Sequence, residues 1–363
     1  MRKEEIIKMR IARVEKEIRD TPYDKASEHH HGVLKAKLAR LTADLEGPMN
    51  KGGGGGGGYA VRHSGDACVV LVGLPNVGKS TLLNALTNAE SKVGNYDFTT
   101  LGVVPGMMEY KGVRIQILDL PGIVRGASKN KGFGKRVVSV VRAADLVVLM
   151  TDWRRLKWLK KMEIELYENN IRVGEDLPKV RVRKTSRGAI QVIDPYKNFP
   201  REMVVEIAKE LGFANVVIQI DEKIDKIDRL IDGLMKNRKY MPMVKVINKV
   251  DEAGNKTIGE DNESLLVSAD RGLGLERLKE EIWGKLGLVR VYLKKSRTAT
   301  ADKEKPLVVK NGSSLLTVVE KISTEMVSEI KEAYIWGKMA RFAGQRVSLN
   351  ARVFDEMEVW FGR

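Results

Sequence analysis

The sequence has a single cysteine, Cys68, and no long apolar run, and each absence excludes a class of protein. One cysteine cannot form a disulfide framework within the chain, which is typical of proteins from a reducing compartment. Apolar runs such as 69–72 and 146–150 are far shorter than the roughly 20 residues that a membrane helix needs. The first residues mix acidic and basic side chains and lack the apolar core of a signal peptide. We therefore expect a soluble, cytoplasmic protein without a membrane partner.

Acidic residues are outnumbered by basic ones. The 363 residues include 64 Lys and Arg against 48 Asp and Glu, a formal net charge of +16, and 43% of them are hydrophobic. This apolar content and length predict two or three folded domains rather than a disordered chain. Residues 129–188 hold 16 basic and 7 acidic residues, so a net charge of +9 lies in that stretch. The excess of positive charge favours a polyanionic partner such as RNA.

The pattern of apolar residues divides the chain into four expected parts. Apolar residues at helical spacing predict two helices, and strands that alternate with helices predict a mostly parallel sheet with helices on both faces. Seven glycines at 52–58 form either a flexible linker or a segment packed close to a nucleotide. The three histidines at 29–31 are expected on a solvated helix face. The parts are a basic helical hairpin (1–50), an α/β core (51–164 and 241–288), an α+β insertion (165–240) and a small α+β domain (289–363).

A glycine-rich motif follows the first predicted strand. Residues 73–80 read Gly-Leu-Pro-Asn-Val-Gly-Lys-Ser and match G-x-x-x-x-G-K-[ST] between a strand over 68–73 and a helix over 80–88. The glycines allow backbone N–H groups to surround a phosphate chain at a helix N-terminus. Lys79 would neutralise phosphate oxygens and Ser80 would bind Mg²⁺. The predicted phosphate-binding residues are Gly73, Pro75, Asn76, Val77, Gly78, Lys79, Ser80 and Thr81.

Two further segments predict contacts with the γ-phosphate. Asp119-Leu-Pro-Gly122 follows a predicted strand, where the carboxylate can hold Mg²⁺ through water and the glycine amide can contact the γ-phosphate. Residues 98–100, Phe-Thr-Thr, lie where a mobile segment can supply a threonine to Mg²⁺. Thr100 is the preferred ligand and Thr99 the alternative, while a strand that merely begins with two threonines is the structural explanation.

The base is predicted to be guanine. Asn248-Lys249-Val250-Asp251 follows another strand, and an aspartate can accept two hydrogen bonds from guanine that adenine cannot donate. Ser268-Ala269 lies where a further loop would contact the base. The motifs occur together in this order, which predicts a GTP-binding domain whose guanine-contacting residues are Asn248, Lys249, Asp251, Ser268 and Ala269.

The residue after Gly122 is Ile123, which cannot orient the attacking water as the glutamine of Ras-like enzymes does. Hydrolysis is therefore expected to be slow or to use another device. The amide oxygen of Asn76 is a candidate ligand for a monovalent cation that would stabilise transition-state charge. An asparagine that simply suits the turn explains the residue equally well.

In this order, the motifs GLPNVGKST, FTTL, DLPGI, NKVD and SA resemble the developmentally regulated GTP-binding protein family of Obg-related, translation-factor-class GTPases. Further segments resemble that family's basic hairpin, glycine stretch, second switch and C-terminal TGS domain: 30–38, 51–59, 130–132, and 288–292 with 333–337. The resemblance implies a P-loop GTPase core with an N-terminal helical hairpin, an S5-domain-2-like insertion and a C-terminal β-grasp (TGS) domain.

The resemblance also implies an activity. The chain would hydrolyse GTP to GDP with Mg²⁺ held by Ser80, Thr100 and Asp119, and with K⁺ at Asn76. The catalytic residues would be Lys79, Ser80, Thr100, Gly122 and Asn76. Ribosomes or RNA are the implied partners, a regulatory protein accompanies the eukaryotic members, and a monomer is expected.

Two alternatives stay open. An Obg-like ATPase would share the P-loop and TGS domains, but Asp251 argues against it. In an RNA-binding accessory protein the nucleotide would be structural. Intact Lys79, Ser80 and Asp119 disfavour this second alternative, whereas Ile123 permits it.

Overall fold

The computed structural model describes residues 3–46, 64–87, 103–120, 132–235, 237–254 and 263–362. The chain forms two compact units: Met1–Gly58 with Glu175–Tyr240, and Tyr59–Gly174 with Met241–Arg363. Across these described ranges, no helix is both long enough and apolar enough to cross a membrane.

The helices and strands have the following bounds. The helices are α1 (Lys3–Asp20), α2 (Glu28–Glu46), α3 (Lys79–Leu86), α4 (Gly132–Ala143), α5 (Lys157–Glu168), α6 (Arg201–Glu210), α7 (Ile227–Leu234), α8 (Leu275–Leu286), α9 (Leu315–Ile322) and α10 (Met326–Glu329). The strands are β1 (Ala67–Gly73), β2 (Val104–Tyr110), β3 (Val113–Asp119), β4 (Leu146–Asp152), β5 (Ile171–Val173), β6 (Val180–Lys184), β7 (Gln191–Ile193), β8 (Val216–Ile220), β9 (Lys239–Met241), β10 (Met243–Asn248), β11 (Ser264–Leu266), β12 (Leu288–Leu293), β13 (Leu307–Lys310), β14 (Glu332–Trp336), β15 (Gln345–Val347) and β16 (Met357–Gly362).

A six-stranded sheet forms the centre of the second unit. Its order is β11-β10-β4-β1-β3-β2, and every neighbouring pair is parallel except β2 with β3. Every residue of β1 and of β4 is buried, because parallel strands covered on both faces are apolar throughout. Alternate residues of β1 enter different cores: Val69 and Leu71 pack with α3 and α8, and Val70 packs with α4 and α5. The predicted fold class is confirmed.

Cys68 also lies in β1, where it is fully buried. Burial raises the pKa of its thiol to about 12, so the group is a small apolar core residue at neutral pH.

A smaller mixed sheet occupies the C-terminal part of the same unit. The strand order is β13-β12-β16-β14-β15, in which only the pair β12 and β16 is parallel. Helix α9 begins after Ser314, whose hydroxyl accepts a hydrogen bond from the backbone N–H of Thr317, and it buries Leu315 and Val318 against the sheet. A five-stranded sheet with one helix across it is a β-grasp arrangement, and we call it the β-grasp domain below.

The first unit begins with a helical hairpin. Between α1 and α2, Nε2 of His31 lies 3.1 Å from the carbonyl oxygen of Thr21 and 3.3 Å from that of Pro22. His31 is buried, so the expectation that all three histidines face solvent is wrong for it. His29 and His30 are partly exposed and lie near Glu206 and Glu17. Consecutive residues on a helix point about 100° apart, which explains why the three differ.

The hairpin and the insertion share one core. Three strands in the order β6-β8-β7 are packed with α6 and α7, and Ala36 of α2 lies in the same cluster as Ile207 and Ile218. The insertion starts later than residue 165, because Leu166 and Ile171 are buried in the core of the second unit. That unit therefore continues to Gly174 before the chain passes into the first unit.

Candidate nucleotide-binding site

Three of the predicted motifs, the phosphate loop, the Asp119 motif and the Asn248 motif, follow strands that end at one edge of the central sheet. Strands β1, β3, β4 and β10 are parallel, with Leu71 paired with Asp119 and Asn248 paired with Asp152, so their carboxyl ends share this edge. Ligands of open α/β sheets bind in the crevice beyond the carboxyl ends of the strands. The sheet order thus brings together motifs that lie up to 175 residues apart, at Gly73 and Asn248.

The loop between β1 and α3 has the backbone form that its sequence predicts. Asn76 has φ 64° and Gly78 has φ 91°, both in the left-handed region. A Cβ atom on Gly78 would lie 2.4 Å from Nδ2 of Asn248, so only glycine fits at this close approach. Pro75, Asn76, Ser80 and Thr81 are exposed, whereas Val77 is buried and anchors the loop in the core.

Lys79 is the first residue of α3 and points back over the loop. Its Nζ donates hydrogen bonds to the carbonyl oxygens of Gly73, at 3.3 Å, and of Leu74, at 3.1 Å. The side chain is buried, and burial lowers the pKa of its ammonium group while the nearby Asp119 carboxylate opposes that shift. A buried ammonium group at a helix N-terminus is arranged to receive anionic phosphate oxygens.

Ser80 and Asp119 meet beside this ammonium group. The hydroxyl of Ser80 donates a hydrogen bond of 2.5 Å to Oδ2 of Asp119, so two oxygen atoms suited to Mg²⁺ already lie together. Mg²⁺ binds to proteins through one or two such groups, keeps several waters and takes its remaining ligands from substrate phosphates. The side chains therefore fit the predicted metal role.

Asn248 connects the phosphate loop with the predicted base loop. Its Nδ2 donates to the carbonyl oxygen of Val77 at 2.9 Å, and its Oδ1 accepts from the backbone N–H of Ala269 at 3.0 Å. Asn248 is only 2% exposed, so both bonds are protected from water. From the sequence, Ser268-Ala269 is a weak dipeptide signal, and this bridge assigns it a structural role in the site.

The other predicted guanine-binding residues are Lys249 and Asp251, in the turn after Asn248, and Ser268. Lys249 has φ 60° and leads into a 3₁₀ turn over Val250–Glu252, which leaves the Asp251 side chain exposed. Ser268 is buried, and its Oγ accepts a hydrogen bond from the backbone N–H of Arg271 at 3.2 Å. The exposed carboxylate of Asp251 thus follows the buried, hydrogen-bonded amide of Asn248, which is the arrangement needed to bind the edge of a guanine base.

Two further residues at this edge, Asp152 and Arg155, belong to no sequence motif. Asp152, at the carboxyl end of β4, is buried and lies 3.3 Å from Nε of Arg155. Nη1 of Arg155 donates a hydrogen bond of 3.4 Å to the carbonyl oxygen of Pro75 in the phosphate loop. A charged residue at the end of a buried strand was the available signal, but a single aspartate has no spacing that identifies it.

Several predicted residues cannot be placed. Thr99, Thr100, Gly122 and Ile123 lie outside the described residues, as does the glycine segment 52–58.

The strand order, the phosphate loop on α3 and the Asn248 bridge define a P-loop GTPase domain. The family model MMR_HSR1, described as a 50S ribosome-binding GTPase, matches residues 68–185, and the C-terminal region of the MMR_HSR1 domain matches residues 187–288. An uncharacterized GTP-binding protein of Methanocaldococcus jannaschii is 42% identical over 360 residues, which is 96% of this chain and 91% of that protein.

Two named relatives cover nearly the whole chain as well. Developmentally-regulated GTP-binding protein 2 of Homo sapiens is 35% identical over 347 residues, 94% of this chain and 95% of that protein. The Dictyostelium discoideum homolog of that protein is 35% identical over 355 residues, 96% of each chain. The chain belongs to the developmentally regulated GTP-binding protein family, and the predicted resemblance is confirmed.

Proposed function

We propose that the chain is a molecular switch that hydrolyses GTP to GDP and phosphate and acts with ribosomes or RNA. The observation that carries the proposal is the contact of Ser80 with Asp119 beside the Lys79 ammonium group. Lys79, Ser80 and Asp119 place a cation and two metal ligands where the phosphate to be cleaved would lie, which favours a hydrolysing enzyme over a purely structural nucleotide. Bound Mg²⁺ would supply positive charge to the β- and γ-phosphates.

Each residue at the site has a distinct part in this proposal. Lys79 binds phosphate oxygens and offsets the charge that develops when the terminal phosphate leaves. Ser80 and Asp119 fix the metal end of the site from α3 and β3. Asn248 holds the phosphate loop and the base loop at a fixed separation, so the guanine reading of Asp251 also positions the phosphates.

We further propose that K⁺ assists hydrolysis at Asn76. The residue is exposed at the turn of the phosphate loop, and Ile123 lacks the amide that could orient water. A monovalent cation held by the amide oxygen would stabilise negative charge in the transition state. The left-handed φ of 64° also suits asparagine as a turn residue, so the side chain must be tested directly.

Phosphate release is expected to be at least roughly tenfold faster in K⁺ than in Na⁺, since one charge-stabilising group is commonly worth that factor or more. Asn76→Ala should lose this difference and keep its affinity for GDP. The measurement is single-turnover phosphate release in buffers matched for ionic strength. Equal rates in both salts would disprove the cation role, and no turnover in either would favour the RNA-binding accessory protein.

The ribosome or RNA part of the proposal is supported by charge and by the matched family model, which is described as ribosome-binding. Residues 129–188 carry a net charge of +9. Within that stretch Lys157, Lys160, Arg183 and Lys184 are exposed, as phosphate contacts require.

Co-sedimentation with ribosomes should be stronger with a non-hydrolysable GTP analogue than with GDP, and it should weaken steeply as salt is raised. The slope of log affinity against log salt counts the phosphates contacted. Arg183→Glu should lower the magnitude of that slope by about one or more, which corresponds to the loss of at least one phosphate contact. Arg352→Glu in the β-grasp domain is the matched charge control. A ribosome affinity that changes neither with the bound nucleotide nor with the salt concentration would contradict this part of the proposal.

A further inference from the structure

The hairpin formed by β2 and β3 reaches from the nucleotide site to the opposite edge of the sheet. Its strands pair in register from Val104 with Asp119 to Tyr110 with Val113. At one end Asp119 accepts the hydrogen bond from Ser80. At the other end the chain turns through Lys111 and Gly112, which have φ 52° and 75°.

The hairpin also packs directly on the helix that carries the phosphate loop. A Cβ atom on Gly106 of β2 would lie 2.7 Å from Cγ2 of Thr87 and 2.8 Å from Cδ1 of Leu83. Leu83 belongs to α3, and Thr87 is its C-cap. The side chains of Leu83 and Thr87 therefore pack directly on the backbone of Gly106, so movement of the hairpin along its axis is transmitted to α3 as well as to Asp119.

Helix α8 holds the turn of the hairpin through one carboxylate. Nζ of Lys111 lies 2.9 Å from Oε1 and 2.8 Å from Oε2 of Glu280, and the Tyr110 hydroxyl donates to Oε2 at 2.5 Å. The same ammonium group lies 5.6 Å from the ring centroid of Trp283, which makes an edge contact with Tyr110.

These contacts persist across the working pH range of a GTPase assay. Hydrogen bonds from Lys111 and Tyr110 lower the pKa of Glu280, and donation to Glu280 raises the pKa of Tyr110 to about 12. The carboxylate therefore stays ionised and the phenol stays neutral at neutral pH.

The β-grasp domain reaches the same turn through Arg290 of β12. Its Nη1 donates a hydrogen bond of 3.4 Å to the carbonyl oxygen of Lys111, and its guanidinium lies 5.6 Å from the ring centroid of Trp283. Asp355 accepts from Nε at 3.0 Å and from Nη2 at 2.7 Å, and Glu356 accepts from Nη2 at 2.9 Å. With its side chain only 13% exposed, the guanidinium is fixed in one orientation.

Two more ion pairs attach the β-grasp domain to this edge of the sheet. Lys310 lies 3.2 Å from Asp145, and Lys321 lies 3.9 Å from Asp66. Asp145 and Asp66 directly precede β4 and β1, the buried central strands. The β-grasp domain is thus attached to the rigid centre of the sheet and to the tip of its edge hairpin.

We propose that Glu280 and Arg290 are positioning residues that set the preference of the nucleotide site between GTP and GDP by fixing the tip of the β2–β3 hairpin. The proposal rests on the nucleotide switch proposed above and adds the β-grasp domain as its regulatory input. Because β3 ends at Asp119 and β2 packs on α3, the axial position of the hairpin sets the geometry of the metal-side ligands. If a nucleotide binds more tightly in one hairpin position, linkage requires that its affinity changes when the contacts at the tip are removed.

The test compares equilibrium affinities for GDP and for a non-hydrolysable GTP analogue, both with Mg²⁺. Lys111→Glu and Glu280→Lys should each change the ratio of the two dissociation constants by about fivefold or more. The double variant should restore most of the wild-type ratio, because the ion pair reforms with its charges exchanged. Lys279→Glu is the matched control, because Lys279 lies on the same helix and pairs with Glu276.

Folded single variants with the wild-type ratio would overturn the proposal, as would a double variant that restores nothing. If the charge variants do not fold, Tyr110→Phe removes only the hydroxyl bond to Glu280 and should shift the ratio by a smaller amount. An unshifted ratio in that variant also overturns it. The measurement needs no turnover, so a chain that fails to hydrolyse GTP disproves the proposed function without affecting this result.

Discussion

Replacing Lys79 with alanine is expected to weaken nucleotide binding by roughly a hundredfold or more and to abolish GTP turnover. Lys79 is 7% exposed as a residue, and its ammonium group lies within 3.3 Å of two loop carbonyls, over the positions that phosphates would occupy. Removal of one partner from a buried charge pair costs about 3 kcal/mol or more, because the other charge is left without compensation. The negative phosphates would be that uncompensated partner.

Titration with a fluorescent GDP analogue measures this loss, and single-turnover phosphate release measures the effect on the chemical step. Lys157→Ala is the control, because Lys157 is exposed at the start of α5 and should leave both quantities unchanged. A Lys79→Ala variant with wild-type affinity would show that the nucleotide binds elsewhere.

The order of strands and helices in the core could be predicted from the sequence because burial on both faces leaves a clear signal. Strand β1 begins one residue before the predicted 68–73, and β10 ends at Asn248, where the guanine motif predicts the end of a strand. Parallel strands in such a sheet are nearly continuous apolar runs, and the intervening helices have amphipathic spacing.

The partner of an apolar face could not be predicted. The stripe on α2 indicates that one face is buried, but the sequence does not tell that Ala36 packs with Ile207 and Ile218. The helical spacing is the same whichever surface covers it, so hairpin and insertion were expected as separate parts. Packing between segments about 170 residues apart depends on the whole fold rather than on local pattern.

In the candidate site, too, motifs with a fixed spacing could be predicted from the sequence, whereas contacts between distant segments could not. The phosphate loop and the guanine motif have fixed spacings that follow from phosphate and base geometry, and the structure brings Gly78 and Asn248 together as those spacings imply. The contacts of Lys111 have no such spacing, because its partners Glu280 and Arg290 lie 169 and 179 residues away in the sequence. A lysine in a turn is ordinary on a protein surface, and only the fold shows what it contacts.

The central sheet therefore has two edges with different tasks. Its carboxyl edge carries the nucleotide ligands, and its amino edge meets the β-grasp domain at Asp66 and Asp145. Strands β1 and β4 are buried throughout, whereas β2 lies at the side of the sheet with β3 as its strand neighbour. The turn that joins β2 to β3 lies at the amino edge, where Glu280 and Arg290 contact it, which is why the tip of the hairpin is an effective place for control.

The second large effect is expected when Asp251, the residue predicted to bind the guanine base, is replaced. Asp251→Asn should weaken binding of guanine nucleotides by roughly a hundredfold and make xanthine nucleotides the preferred ligands. The Asp251 carboxylate is exposed in the Val250–Glu252 turn, where it can accept from N1–H and the exocyclic amine of guanine. Asparagine replaces one acceptor with a donor that opposes the guanine amine and matches the additional carbonyl of xanthine.

Competition of GDP, XDP and ADP against one fluorescent nucleotide measures this exchange directly. Glu252→Gln is the matched control, because Glu252 is the adjacent carboxylate and pairs with Arg154 at 3.1 Å. It should leave the preference for guanine unchanged. A variant Asp251→Asn that still prefers GDP would show that another residue reads the base, and wild-type affinity for ADP equal to that for GDP would restore the Obg-like ATPase as the better assignment. Gain of XDP binding together with loss of GDP binding cannot arise from general damage to the site, since damage weakens every nucleotide.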